Sequence, residues 1–297
     1  MVRTARQVRL GTELRRLREA AGLKAREVAG LISSTSAQMS QVEAGFAGAS
    51  EARVRRLAAH YACADEALVD AMVAMATDRT QGWWEEFRGV LPPVFLDVAE
   101  LEHHATFLHE VMITHVPGLL QTPDYARAVF GYMVPELPDS ELSPRVEHRL
   151  RRRAVIERDA PAAYETVVHE AALRIRVGDR GVSRAQLRRL LDESEREHVT
   201  VRVIPFDTDH FAGAGAGAAM MHVGGPLPQL DTVLRDSPSG TAFLDAQSQL
   251  ERFRTPEIAA LHTRIAIRDS KAPSRGTVTI PVGSFAALIQ SLKRTTV

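Results

Sequence analysis

The sequence has a single cysteine, Cys63, and aromatic side chains make up only 5% of its 297 residues. One cysteine excludes an internal disulfide and a thiolate metal cluster, and it is typical of a reducing compartment. No apolar run approaches the roughly 18 residues of a membrane-spanning helix. The basic start, residues 1–9, is followed by a charged segment and not by an apolar one, so we expect no signal peptide. The sequence therefore predicts a cytoplasmic protein.

The chain has no net charge, with 37 Lys and Arg against 37 Asp and Glu, but the charges are unevenly placed. Residues 1–62 contain 11 basic and 5 acidic side chains, so the rest of the chain is acidic. A basic head on an acidic body favours a polyanion such as nucleic acid as the partner of the head. Chance clustering of solvated surface charge is the alternative.

The first seventy-five residues show the spacing of five short helices. Apolar residues from Leu10 to Ala21 recur every three or four positions, and Gly22 is placed to end that helix. Residues 33–36 offer a turn and a cap for the third helix, whose inward residues are Met39 and Val42 and which ends at Gly45. The second helix has the apolar residues Val28, Ala29, Leu31 and Ile32. The fourth is predicted to bury Val54, Leu57, Ala58 and Tyr61, and the fifth carries Leu68, Met72 and Met75.

The run from Leu14 to Gly45 resembles the xenobiotic-response-element (lambda-repressor-like) helix-turn-helix family. The resemblance rests on Leu14–Arg18, Ala21–Leu23, Val28–Ala29 and Met39–Gly45. It implies that the third helix lies in the DNA major groove, with Thr35, Ser36, Gln38 and Gln41 facing the bases. Lys24, Arg26 and Arg53 are the predicted phosphate contacts. The chain departs from the family at Lys24-Ala25, where the family often has Ser-Gln. A helix-turn-helix used only for protein contacts is the alternative.

The rest of the chain alternates helical and extended patterns. The spacing predicts helices over 97–107, 123–133, 144–158, 183–197 and 245–266, and strands over 110–116, 164–170, 199–206, 218–223 and 232–235. A strand at 277–281 and a helix at 284–293 close the chain. The predicted fold class is α+β: an all-α five-helix DNA-binding domain, followed by a mixed α/β C-terminal domain with a small, largely antiparallel sheet. We place the domains at 1–76 and 83–270, with a linker at 77–82 and a strand-helix tail at 271–297.

The second domain also carries a resemblance. Val116–Thr122 with Tyr125-Ala126, preceded by Trp83-Trp84 and followed by Arg151–Arg153 and His169–Leu173, is similar to the C-terminal domain of WhiJ-like, antitoxin-like actinobacterial regulators. The resemblance implies a transcription factor whose C-terminal domain engages a small BldB-like partner protein. The partner-binding candidates are Pro117, Gly118, Leu119, Leu120 and Gln121. The family's Tyr-x-Glu strand is replaced here by Leu230–Val233, which puts a contact by that strand in doubt.

The tail is similar to the strand and helix of that small partner family, at Ile267–Lys271, Thr277–Ile280 and Phe285–Lys293. It could dock in cis where the partner docks in trans. An ordinary closing strand and helix is the favoured interpretation, because short motif matches often mislead.

Patterns that suggest chemistry each have a plainer interpretation. Gly213, Gly215 and Gly217 lack the G-x-G-x-x-G spacing of a dinucleotide loop and favour a loop between strands. His103, His104, His109 and His115 lack the i, i+4 spacing of metal ligands on a helix. No serine has a nucleophile-elbow context. We therefore expect no enzyme, no catalytic or metal site and no cofactor.

Trp83, Trp84 and Phe87 stand at the predicted domain junction. Such aromatics most often pack one domain on the next, and the wall of a ligand pocket is the alternative. Together, the patterns predict a sequence-specific DNA-binding regulator that acts as a homodimer on double-stranded DNA and senses a small partner protein or ligand. The alternative function is an antitoxin-like module that sequesters a small partner, with DNA binding secondary.

Overall fold

A computed structural model describes residues 4–78, 80–132, 136–208, 219–237 and 240–247. The first five helices are all present: α1 (Ala5–Ala20), α2 (Ala25–Leu31), α3 (Ser36–Glu43), α4 (Glu51–His60) and α5 (Glu66–Thr77). They share one core, in which Leu14, Val28, Met39, Val54, Leu57 and Met72 have no exposed surface. The prediction of a five-helix N-terminal domain is confirmed.

The ends of these helices follow from local chemistry. Thr35 caps α3 by accepting a hydrogen bond from the backbone N–H of Gln38. Ser50 and Asp65 cap α4 and α5 in the same way. Gly22 and Gly45 end α1 and α3 with φ of 70° and 75°, which L side chains rarely adopt. The predicted linker began at residue 77, but α5 includes Thr77 because Val73 and Ala76 keep its last turn buried.

The second domain is built on a six-stranded mixed sheet. Its strands are β1 (Phe107–Met112), β2 (Ala163–His169), β3 (Val199–Ile204), β4 (Ala219–Gly224), β5 (Thr232–Ser237) and β6 (Gly240–Asp245). Their order is β3-β2-β1-β4-β5-β6. The pairs β1–β2 and β2–β3 are parallel, and β1–β4, β4–β5 and β5–β6 are antiparallel. The expected α+β class with a mainly antiparallel sheet is confirmed.

Helices cover this sheet. They are α6 (Pro93–His103), α7 (Pro123–Gly131), α8 (Asp139–Arg151), α9 (Ala154–Glu157), α10 (Glu170–Arg174) and α11 (Arg180–Ser194), with 3-10 turns at Trp83–Phe87, Gly118–Leu120 and Pro228–Leu230. The core lies between them and the sheet and includes Leu108, Leu119, Leu120, Ile156 and Val168.

Several predicted boundaries were wrong. The helix expected at 97–107 begins at Pro93, which suits a first helical position, and Phe107 already belongs to β1. The strand expected at 110–116 corresponds to β1, which begins earlier, at Phe107, and ends at Met112. The helix expected at 144–158 starts at Asp139, tolerates Pro144 in its second turn and breaks after Arg151. Helix α10 and strand β6 were not predicted. The helix expected at 245–266 lies almost entirely outside the described residues, and the tail at 271–297 lies wholly outside them.

Candidate nucleic-acid interface

The inner face of α3 is anchored in the N-terminal core. Met39 and Val42 are buried, and the structure confirms both as inward residues. Gly11 in α1 and Gly45 at the end of α3 let the backbones of these two helices approach each other closely. A Cβ on Gly11 would lie 2.5 Å from the carbonyl oxygen of Glu43, and one on Gly45 would lie 2.8 Å from the backbone nitrogen of Val8. Helix α3 therefore has little freedom to move relative to α1.

A buried ion pair, which the sequence analysis missed, also joins α3 to α1. The Arg18 guanidinium donates from Nε to Oε1 of Glu43 (2.6 Å) and from Nη2 to Oε2 (2.9 Å), while its Nη1 donates to the Leu23 carbonyl (2.7 Å). The hydrogen bond from Arg18 to Glu43 raises the pKa of Arg18. Burial, with the nearby Glu43 charge, raises the pKa of Tyr61 to about 12. The residues that carry the family resemblance at these positions thus hold α3 in place.

The outer face of α3 carries the four predicted base-reading residues, and all four are exposed. Thr35 and Gln38 also form a capping box, because Oε1 of Gln38 accepts from the Thr35 backbone N–H (3.1 Å) and from Oγ of Ser34 (2.9 Å). The Nε2 group of Gln38 remains available as a donor. The side chains of Ser36 and Gln41 make no hydrogen bond to any residue that the structure describes. Gln41 thus keeps the carbonyl oxygen and the NH2 group of its exposed side-chain amide free to bond.

Arg53 has a structural contact that its predicted phosphate role did not include. Its Nη2 donates to Oγ of Ser34 (3.1 Å), which in turn donates to Gln38. Arg53 stands in the first turn of α4 and is half-buried. It therefore braces the turn before α3, and a phosphate contact by its remaining donors stays a prediction.

The charges around α3 separate into paired and unpaired groups. Four Lys and Arg side chains of residues 4–78 form no ion pair with any carboxylate that the structure describes: Lys24, Arg26, Arg53 and Arg56. Three of these four are the predicted phosphate contacts. By contrast, Arg55 is exposed but pairs with Glu51 (2.8 Å) and Asp70 (2.9 Å). An unpaired exposed cation can neutralise a phosphate without first losing an internal partner.

The N-terminal domain contacts the second domain through α1. The backbone N–H of Ala5 donates to Oδ1 of Asp97 on α6 (3.1 Å). The buried Arg9 guanidinium donates from Nε to the Asp231 carbonyl (3.2 Å), and its Nη2 donates to the Gln229 carbonyl and to Glu13. Burial lowers the pKa of Arg9, and the Glu13 charge opposes that shift. These contacts place α1 between α3 and the second domain.

The three aromatic residues predicted at the junction pack inside the second domain. Trp84 and Phe87 are buried with Leu96 of α6, and Trp83 packs against that cluster. The ring centroid of Trp83 lies 5.0 Å from that of His148, and that of Phe87 lies 5.2 Å from it. They form a wall behind His148, and the contacts between domains described above are made by other residues.

The segment from Pro117 to Gln121 is mostly internal, which differs from the expected partner-binding surface. Leu119 and Leu120 have no exposed surface. Gln186 of α11 fixes the segment by accepting from the Thr122 N–H (2.8 Å) and donating to the Leu120 carbonyl (2.8 Å). Only Gly118 retains part of its surface. Partner binding at this segment stays a prediction.

The histidines have separate surroundings. The His103 ring lies at a tilt to that of Trp84, Nε2 of His104 lies 3.3 Å from Oδ2 of Asp78, and His109 lies beside Phe107 and His222. In the residues that the structure describes, no three His, Cys, Asp or Glu side chains are placed to hold a metal ion. The glycines at 213, 215 and 217 lie outside the described residues. Among the described helices, none has the length and apolar character needed to cross a bilayer.

The N-terminal geometry is that of a DNA-binding helix-turn-helix domain, and residues 9–72 match a family model described as a helix-turn-helix domain. Residues 95–261 match the model of a family described as a domain of unknown function, DUF5753. Because that match covers more than half of the chain, the protein belongs to the DUF5753 family. No curated protein and no solved structure matches it.

Proposed function

We propose that this protein is a sequence-specific transcriptional regulator that reads double-stranded DNA with α3. The observation that carries the proposal is the exposed outer face of α3, with Gln41 free to bond, in a domain with four basic side chains that have no ion-pair partner among the described residues. The major groove admits one helix, and a glutamine amide can bond the N6 and N7 atoms of adenine together. Arginine, the commonest reader of guanine, is absent from α3, which favours A/T-leaning sites.

A dimer follows from the size of the reading face. One helix of eight residues contacts too few base pairs for a useful specificity ratio, so we expect two copies on a palindromic or repeated operator. In this proposal the second domain is regulatory and not catalytic. It receives a signal, from a small partner protein or from a ligand, that changes DNA affinity.

Salt dependence of DNA binding tests the electrostatic half of the proposal. The binding of a fluorescent duplex of arbitrary sequence is measured by anisotropy over a range of salt concentrations. Each neutralised phosphate contributes a slope of about −0.9 in the logarithmic plot. Lys24→Ala should reduce the steepness by about one, because it removes one phosphate contact.

Arg55→Ala is the matched control, since Arg55 is exposed on the same domain but already paired with Glu51 and Asp70. It should leave the slope nearly unchanged. Equal slopes for the wild type and Lys24→Ala would contradict the phosphate assignment. A folded wild-type protein that binds no DNA at low salt would contradict the function itself and would favour partner sequestration.

A further inference from the structure

The second domain contains a cavity that the DNA-binding role does not use. It lies between α6, α8 and strands β1, β4, β5 and β6, it is half open to solvent, and its volume is about 170 Å³. Its lining includes apolar side chains, among them Phe95, Val98, Met221 and Leu234. It also includes the polar side chains of Glu110, His148, Arg149 and Arg152, and Glu110 lies beside Met221 on neighbouring strands. A cavity with apolar lining residues and a few convergent polar groups has the form of a small-molecule site.

The two arginines that line the cavity differ in their partners. Arg152 is neutralised by Glu102, to which it donates from Nε (2.8 Å) and from Nη2 (2.5 Å). Arg149 forms no ion pair with any described carboxylate. Its Nη1 donates to Oε1 of Gln121 (2.9 Å), its guanidinium carbon lies 3.9 Å from the centre of the Phe130 ring, and its Nε is buried without a partner. Arg149 is half-buried, and a cation removed from water without a paired carboxylate among the described residues is costly, so a bound anion would stabilise it.

Against the larger effect of burial, the charges of Glu110 and Asp236 raise the pKa of Arg149, but neither carboxylate forms an ion pair with it. Burial raises the pKa of Glu110 to about 7, although the Tyr164 hydroxyl donates to it and Arg152 lies near. Burial lowers the pKa of His148 to about 3 and also lowers that of His115, so both rings are neutral. Asp236 is exposed at the rim and accepts from the Thr241 hydroxyl (2.6 Å). Burial lowers the pKa of Arg149 to about 9, which still leaves it charged at neutral pH.

We infer that this cavity binds a small carboxylic acid with an apolar body, whose carboxylate is held by Arg149, and that the bound acid changes DNA affinity. The planar guanidinium of Arg149 suits a planar carboxylate. The apolar side chains of Phe95, Val98, Met221 and Leu234 suit a hydrocarbon or aromatic body. Gly118 leaves room beside both arginines. A Cβ there would lie 3.7 Å from Nη1 of Arg152 and 3.9 Å from Nε of Arg149.

The contacts of α1 connect this cavity to the reading helix. Asp97, which accepts from Ala5, lies on α6 between the cavity residues Phe95 and Val98. Asp231, which accepts from Arg9, directly precedes β5, and β5 supplies Leu234 to the cavity. These two contacts of α1 therefore lie on or next to elements that line the cavity, and α1 holds α3 through Arg18 and Glu43. The regulatory half of this inference, that the bound acid changes DNA affinity, rests on the proposed DNA-binding function, whereas acid binding does not.

Acid binding is tested on the full chain without DNA, by calorimetry with phenylacetate and octanoate and with their neutral amides, phenylacetamide and octanamide. The acids should bind at least about tenfold more tightly than the amides, because only the acids carry a negative charge that can pair with the Arg149 guanidinium. Arg149→Gln should abolish this preference. Arg151→Gln, the same change on the same helix outside the cavity, should keep it. If neither acid binds at millimolar concentration, or if acids and amides bind alike, the site is overturned.

Gly118→Ala gives a second test that does not depend on how well Arg149→Gln folds. The added methyl group fits at ordinary contact distance but occupies space beside both guanidinium groups, so acid affinity should fall by about tenfold or more in a variant with unchanged thermal unfolding. Unchanged acid affinity would overturn the placement of the carboxylate.

The regulatory half is tested by anisotropy with saturating phenylacetate or octanoate, whichever binds. Affinity for duplex DNA should shift by about fivefold or more. Arg9→Met should remove this shift while leaving acid affinity unchanged. If the acid binds and DNA binds but no shift occurs, the coupling is overturned and the site stands. If no DNA binds at all, the proposed function fails, while the calorimetric result on the site is unaffected.

Discussion

At the scale of single residues, Glu43 shows how a motif position can be structural. Its carboxylate is buried and accepts two hydrogen bonds from Arg18, and Arg15 pairs with it from the surface. In the sequence, Glu43 belongs to the stretch Met39–Gly45 that carries the helix-turn-helix resemblance, and no role was predicted for it. A glutamate followed by Ala-Gly at a helix end is ordinarily exposed, and only the fold brings Arg18 within 2.6 Å of it.

Glu43→Gln should destabilise the N-terminal domain strongly. The change leaves the Arg18 charge buried without its counter-ion, a loss of about 3 kcal/mol. Urea unfolding followed by circular dichroism measures it. Glu51→Gln, which breaks the exposed pair with Arg55, should cost less than about 1 kcal/mol. Similar losses for the two variants would contradict the role of the buried pair.

His148 makes the second domain sensitive to acid. Burial, together with the charges of Arg152, Arg149 and Arg151, lowers the pKa of His148 from 6.5 to about 3. The unfolded chain therefore takes up a proton near pH 6.5 and the folded chain only near pH 3. The contribution of His148 to the free energy of unfolding is complete above pH 6.5 and is lost as the pH falls from 6.5 towards 3. The loss amounts to about 2 kcal/mol between pH 7 and pH 5.

His148→Phe should remove this part of the acid sensitivity. The ring lies among Trp83, Phe87 and Phe95, and neither of its nitrogens has a hydrogen-bond partner, so a phenyl ring suits the site. Unfolding free energies of wild type and variant are compared at pH 7 and pH 5. A variant that loses as much stability as the wild type would show that His148 does not carry the effect.

At the scale of elements, much of the N-terminal domain could be predicted, because its helices end at strong local signals. The capping box at Thr35 and the glycines at 22 and 45 are visible in the sequence. Strand β6 was missed because it is an edge strand of half-buried side chains with no alternation between faces. The break between α8 and α9 was missed because residues 144–158 keep a helical pattern across it.

The close packing of α1 on α3 is an element-scale feature that can be tested at glycines. Gly11→Ala should destabilise the domain by about 1–3 kcal/mol and weaken DNA binding, because its Cβ would meet backbone atoms of α3 at 2.5–2.7 Å. Gly30→Ala on α2 meets nothing within 4 Å and should stabilise by up to about 1 kcal/mol. Thermal unfolding and anisotropy measure both variants. A tolerated alanine at position 11 would refute the close contact.

At the scale of the whole molecule, the sequence showed two domains but not how they meet. Trp83, Trp84 and Phe87 were predicted at the junction, yet the junction described here is made by α1 with Asp97, Gln229 and Asp231. The cavity was also missed, because a run of arginines such as Arg151–Arg153 ordinarily indicates a solvated face. No sequence pattern reveals that the neighbouring Arg149 lines a cavity and pairs with no carboxylate in the part of the chain that the structure describes.

Arg9→Met should uncouple the two domains. Both tryptophans lie in the second domain, so their fluorescence reports its unfolding, whereas far-ultraviolet circular dichroism includes the five N-terminal helices. The wild type should give one transition seen alike by both probes, and Arg9→Met should give separate transitions. Arg16→Met, which leaves the bond from Arg9 to Glu13 in place, should keep the probes together. Coincident transitions in Arg9→Met would show that Arg9 does not join the domains.

The most direct test of sequence-specific DNA binding is selection from a library of random double-stranded DNA by the purified full-length protein, followed by sequencing. We expect an enriched motif, repeated or palindromic, that is lost in a folded Gln38→Ala/Gln41→Ala variant while binding to arbitrary DNA persists. Enrichment of the same motif by that variant, or no enrichment by a folded wild-type protein, would contradict the reading of DNA by α3.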